Sequence, residues 1–185
     1  MFAEKIVLQS AGSFSVAIFA LFMMILELIF LIRKPTFSLY GWSATISFSG
    51  MLYAMGVFFE YNTTPGIINR YAGLTEYTAI ILLIHCLYGF TFAYFGIDTK
   101  RYHPIAGIFH AAVVMLLWST NLIVADTFVA RHFPGLPQPY IEPDLGPLGP
   151  IFVLYAVAAS IGAIVLWVRH KSPERMHKTL YLCGI

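Results

Sequence analysis

Two strongly polar side chains, His85 and Asn121, fall deep inside long apolar runs, and Tyr53, Trp118 and Tyr155 fall at similar depth in the same or neighbouring runs. Such residues suit the binding of a small apolar or amphipathic molecule: aromatic faces enclose it and a few N–H and O–H groups orient it. Counted from the helix ends at ~1.5 Å per residue, His85 lies ~12 Å below one surface, Asn121 ~9 Å and Trp118 ~14 Å. The five are expected to meet in one layer of the outer half of a helical bundle. Tyr77, Ile81, His85 and Tyr88 fall on one helical stripe, which should face the bundle. Near the outer surface Glu60, Glu76 and Asp126 add carboxylates at helix ends, with Arg70 and Arg131 in the adjoining loops. The candidate ligand-binding set is therefore Tyr53, His85, Trp118, Asn121, Tyr155, Glu60, Glu76 and Asp126.

Each feature also has a plainer role. His85 and Asn121 are of the kind that hydrogen-bond neighbouring helices, and Ala158 and Gly162 have the small-residue spacing of a close helix contact. Trp42 and Trp167 read as interfacial anchors. Glu27, one to two turns from Arg33, reads as locally paired or snorkelling.

Other chemistries find less support. No nucleophile has a base at usable spacing and no HExxH-type cluster is present, so no catalytic residue and no metal site is assigned. Cys86 and Cys183 have neither CxxC spacing nor a loop partner. Every lysine lies at or beyond a helix end, which excludes a retinal-type Schiff base. A haem needs axial histidines at one depth. His85 and His110 count out about six residues apart, ~9 Å, and His103, His132, His170 and His177 read as loop residues. No cofactor is expected, with haem as the alternative. Neither inverted repeats nor a charged path at the midplane suggests a transporter.

Five apolar stretches must position these residues: Gly12–Ile32, Ser38–Phe59, Tyr77–Ile97, Pro104–Thr127 and Pro150–Val168. Each approximates the ~20 residues that cross ~30 Å of hydrocarbon. With 59% hydrophobic and 11% charged residues and a mean hydropathy of +0.77, the chain falls outside the range of ordinary soluble domains. The fold class is read as all-α, a multi-pass transmembrane bundle in one domain over residues 1–185. Eight of the eleven basic residues occupy every second connection: Arg33, Lys34, Lys100, Arg101, Arg169, Lys171, Arg175 and Lys178. The positive-inside rule then puts the N-terminus outside the cell (inner) membrane. A sixth crossing is expected from about residue 179, beginning at Tyr181–Ile185, and a cytoplasmic exit needs a seventh, so the chain reads as a seven-helix domain that stops early.

The first stretch ends in Arg33-Lys34 rather than a small-residue cleavage site and reads as retained. A net charge of +2 argues against nucleic acid; the basic turns suit anionic lipid. The connection 61–76 is read as an outer loop. In the connection 128–149, Pro134, Pro137, Pro139, Pro143 and Pro147 forbid a regular helix, and the segment reads as a lid over the outer mouth or as a simple spanning loop.

Several short motifs occur in order: a Tyr-led third helix from Tyr77 through Phe92 and Tyr94 to Gly96, the pair Thr120-Asn121, the run Gly149-Pro150-Ile151-Phe152 followed by Tyr155, and the basic turn Arg169–Lys178. In these the chain resembles the N-terminal seven-transmembrane sensor region of bacterial and archaeal histidine kinases and related diguanylate cyclases. It departs from that pattern in the longer proline-rich connection and in lacking a His within Ile123–Thr127. The resemblance implies a cytoplasmic kinase or cyclase output module after helix seven, and action as a homodimer.

The expected function is thus a membrane sensory domain: a small-molecule ligand binds in an outer-half aromatic pocket, and helices three to five shift. The alternatives are a haem- or quinone-binding subunit of an electron-transfer complex, and a passive dimerising membrane anchor.

Overall fold

Uninterrupted apolar segments, bounded by Pro35, Gly66, Gly96 and the Ser119–Thr120 pair, set the helices. A computed structural model describes residues 8–35, 38–62, 66–100, 102–131 and 140–170. The elements are α1 (Leu8–Arg33), α2 (Ser38–Asn62), α3 (Ile67–Phe95), α4 (Tyr102–Ser119), β1 (Val124–Arg131), β2 (Tyr140–Leu145) and α5 (Gly149–His170). Four helices, Ser10–Arg33, Ser38–Asn62, Ile67–Phe95 and Gly149–His170, are long and apolar enough to cross a membrane. The apolar α4 is shorter, 18 residues or about 27 Å. Exposed Phe19, Phe22 and Ile29 on α1, and Leu154, Ile161 and Ile164 on α5, suit contact with lipid tails rather than water. This is a helical membrane protein. The expected sixth crossing lies outside the described residues.

Side-chain pairs fix how the helices run. Phe14 meets Phe58 and Phe30 meets Tyr40, so α1 and α2 are antiparallel. Trp42 lies on Gly89 while Gly56 lies against Ala72 and Glu76, so α2 and α3 are antiparallel too. His85 meets His110 and Thr78 meets Trp118 across α3 and α4. Tyr77 meets Phe152 and Thr91 meets Trp167, so α3 and α5 are parallel. Arg33, Lys34, Lys100 and Arg169 gather at the basic end of the bundle, and the β-hairpin covers the other.

Glu27 differs from its expected local pairing. Its carboxylate accepts bonds from Ser43 Oγ and from Ser47 Oγ (2.8 Å), both on α2, and clamps α1 to that helix.

Three boundaries depart from the sequence reading. α3 starts ten residues before Tyr77, because nothing after Gly66 breaks it and Ala72 and Leu74 bury well. It ends at Gly96, whose φ of 67° is the left-handed cap, with Ile97 N–H bonded to Phe92 O at 2.9 Å. α4 stops at Ser119 instead of Thr127. There Thr120 Oγ1 donates back to Leu116 O (2.7 Å) and accepts the Leu122 N–H (3.3 Å), which competes with a further helical turn.

The β-rich run Ile123-Val124 through Thr127 and Val129 then becomes a strand. The fold is therefore mostly helical, with a two-stranded hairpin that the sequence reading did not expect. β1 and β2 form an antiparallel pair in which Phe128 faces Pro143 and Ala130 faces Ile141, with an irregularity between Val124 and Phe128. Much of the proline-rich connection lies in this hairpin, while Pro134, Pro137 and Pro139 fall outside the described residues. Asn69 Nδ2 donates to Ile141 O (3.1 Å), and Pro143 sits where a Cβ on Gly73 would stand. Beneath, Leu74, Ile81, Leu117, Ile123, Val124 and Phe152 form the buried core.

Gly146 closes the hairpin. Its N–H bonds to Ile123 O (2.8 Å) and Leu148 N–H bonds to Leu122 O (2.7 Å), while a Cβ at Gly146 would overlap the carbonyls of Asn121 and Leu122. Gly146→Ala should cost about 1–3 kcal/mol, read as faster hydrogen exchange at Leu148 with exchange in α1 unchanged.

Candidate functional site

Small residues open a space between α3, α4 and α5. Ala106 on α4 and Ala158 and Ala159 on α5 line a cavity of about 340 Å³, enclosed further by His85, Tyr88, His103, His110 and Tyr155. Helical spacing places these groups: His85, Tyr88 and Phe92 follow i, i+3, i+7 on α3, and His103, Ala106 and His110 do so on α4. Among the described residues no Asp, Glu, Lys or Arg lines the cavity.

Hydrogen bonds join three of these side chains in a row. His85 Nδ1 lies 3.1 Å from His110 Nδ1, and His110 Nε2 lies 2.5 Å from the Tyr155 hydroxyl. Tyr88 donates to Ala159 O (2.9 Å), its hydroxyl lying where Gly162 has no side chain. Trp42 stacks on His103 (centroids 5.0 Å, 13°) and meets His85 at 6.0 Å, so α2 walls the cluster from behind. Trp42 thus packs against the histidine cluster. Trp167 likewise packs, donating to Thr91 Oγ1 (3.0 Å) against Tyr94 and Phe95.

The eight residues named from the sequence fall into separate places. His85 and Tyr155 line the cavity. Trp118 donates to Thr78 Oγ1 (2.8 Å) and stacks on Tyr71, outside the cavity lining. Asn121 lies beyond the end of α4, where its Oδ1 accepts from Arg70 (2.7 Å) and its Nδ2 donates to Asp126. Arg70 and Asp126 also form an ion pair at 2.6 Å, which straps α3 to β1. Glu60 and Glu76 are buried, 3% and 8% exposed, and hydrogen-bonded to one another beneath β2, close to Tyr53 and Glu142. The expected single layer is therefore divided in four. The cavity itself lies in the half of α3 toward Phe95, away from the hairpin.

His103 and His110 were missed as site residues. The depth count that separated His85 from His110 assumed helix ends at Ile97 and Pro104. With ends at Phe95 and Tyr102, His85 stands ten residues and His110 eight from the same end, and the two rings meet. His103 belongs to the first turn of α4 rather than to a loop, and His170 to the last turn of α5. The i, i+7 spacing of His103 and His110 was the available signal. Among the described residues no group of three or more His, Cys, Asp or Glu is placed to hold a metal ion. No family model, curated protein or solved structure matches the chain.

Proposed function

We propose that this chain is the sensing domain of a membrane receptor, of the seven-helix kind found on bacterial and archaeal histidine kinases and diguanylate cyclases. A small apolar or amphipathic molecule occupies the histidine cavity and shifts α4 and α5 against α3. The observation that carries this reading is the cavity itself, apolar, lined by three different helices and without a charged side chain among the described residues. Its setting favours movement: α1, α2 and α3 pack backbone-close, whereas α4 and α5 stand further from α3 and meet it chiefly through side chains. A ligand that fits one arrangement of the three helices better than another biases their equilibrium by that difference in affinity. The basic turns at Arg33-Lys34 and Lys100 face the cytoplasm of the inner membrane and the hairpin faces outward, in keeping with the distribution of positive charge. Signal then passes to an output module, in a homodimer, through residues after α5.

The test uses the full chain in lipid nanodiscs, with Trp118→Phe and Trp167→Phe leaving Trp42 as the fluorophore. 1-Bromonaphthalene should quench Trp42 with a saturable component, and Ala159→Phe, which fills the cavity, should abolish that component. Spin labels on α3 and α5 should change separation on saturation. Quenching that Ala159→Phe leaves unaltered would refute the cavity as a binding site.

A further inference from the structure

The row Tyr155–His110–His85 has a direction, and its direction determines what the cavity offers a ligand. A hydrogen bond between two neutral imidazole nitrogens needs one donor and one acceptor. If His85 Nδ1–H donates to His110, then His110 Nε2–H donates to the tyrosine oxygen. His85 Nε2 is then a bare acceptor, and the Tyr155 hydroxyl proton is free to point elsewhere. If His110 Nδ1–H donates instead, His110 Nε2 accepts from Tyr155 and His85 Nε2–H becomes a donor. The same heavy atoms, at 3.1 and 2.5 Å, serve both arrangements, while the Ala106 carbonyl, which also accepts from the His110 ring, weights the row toward the one in which the nitrogen beside it is protonated. Reversing the row thus converts the His85 end from acceptor to donor without moving a helix.

The ligand for which this reversal matters is one whose oxygens are acceptors in one form and donors in another. It must also suit a lining that holds no charged side chain among the described residues, hence be neutral, and be planar enough to lie against Tyr88 and Phe92. We propose that the cavity binds the ring of a lipophilic quinone and distinguishes quinone from quinol by the direction of this row. The inference rests on the sensory reading of the cavity and names its ligand class. A quinone carbonyl accepts from His85 Nε2–H; a quinol hydroxyl donates to bare His85 Nε2. His103 faces the same space, stacked on Trp42, and its ring nitrogens have no hydrogen-bond partner among the described residues, which leaves it available to the ligand. No electron is transferred in the site; both forms bind as formed elsewhere. The volume of about 340 Å³ is at the lower end of small-molecule sites and suits one ring and the start of its tail.

The experiment uses the full chain in nanodiscs with decylubiquinone, its quinol kept reduced without oxygen, and decylbenzene, which has the tail and ring but no oxygens. Binding is read from saturable quenching of Trp42, with Trp42→Phe as the blank. Both quinone forms should bind at least about tenfold more tightly than decylbenzene, the worth of one well-placed hydrogen bond. Tyr155→Phe, which removes one end of the row and keeps the ring, should change the ratio of quinone to quinol affinity about tenfold. In ¹⁵N-histidine spectra, the protonated nitrogens of His85 and His110 should exchange between Nδ1 and Nε2 when quinone replaces quinol. If the three compounds bind alike, or the ratio is the same in Tyr155→Phe, the quinone inference is overturned while the sensory cavity stands. If none of the three binds, and 1-bromonaphthalene does not, the cavity reading fails and this inference with it.

Discussion

Gly89→Ala should destabilise the bundle by about 1–3 kcal/mol, the usual cost of overpacking a filled interior. A Cβ at Gly89 would stand 2.7 Å from three ring atoms of Trp42, so something must move. The indole has little room to retreat, because its face lies on His103 and it packs against His85. The helix of Gly89 is similarly held, by Glu60 and Glu76 at the hairpin end and by Trp167 at the basic end. Strain therefore spreads into the α2–α3 contact, where van der Waals packing rather than water exclusion holds membrane helices together. Trp42→Ala removes the obstruction, so the double variant should be more stable than the sum of the single costs predicts. The measurement is a double-mutant cycle in equilibrium unfolding from mild detergent. Strict additivity would show that Gly89 and Trp42 do not share this contact. Since Trp42 also backs the histidine cluster, Gly89→Ala should weaken ligand binding as well.

Much of this arrangement was legible from residue types, and the failures share one cause. Length and hydropathy placed α1, α2 and α5 to within a few residues, except where α2's last turn runs on to Asn62. The errors lie at boundaries, and they propagate because depth is counted from helix ends. Two residues at each end of the α3–α4 turn were enough to separate His85 from His110 on paper. Extending α4 through Thr127 placed Asn121 in the interior, when Thr120 ends the helix and Asn121 meets Arg70. An apolar run such as Ile123-Val124 carries no periodicity that tells strand from helix at this length; only the partner strand Tyr140–Leu145 decides it, 16 residues on. Of the residues named from the sequence, His85 and Tyr155 come to line one cavity, because both lie within their helices whichever boundary is taken.

Glu60→Ala and Glu76→Ala should each cost about 1–3 kcal/mol, whereas Glu60→Met combined with Glu76→Met should cost less than either single methionine substitution. The two carboxyl groups are hydrogen-bonded to each other, and a carboxylate only accepts, so the pair is held by a proton shared between them. Glu76 is 8% exposed and its Oε1 has no hydrogen-bond partner among the described residues, so the bond to Glu60 carries most of what offsets its burial. Removing either partner takes away the bond that offsets the other's burial; removing both, with side chains of similar reach, leaves neither carboxyl to be buried. Glu76→Gln should be tolerated, since the amide N–H donates where the shared proton did. Gly56 and Gly73 show how closely the pair is enclosed: a Cβ at Gly56 would stand 2.5 Å from Glu76 Cγ, and one at Gly73 would stand 3.0 Å from Glu60 Oε1. Because Pro143 closes the same space, the single alanine variants should also loosen the hairpin, giving earlier proteolysis within 131–140 than in the wild type. A double methionine variant that loses the sum of the two single methionine losses would mean that the glutamates act separately and that the hairpin does not depend on their bond.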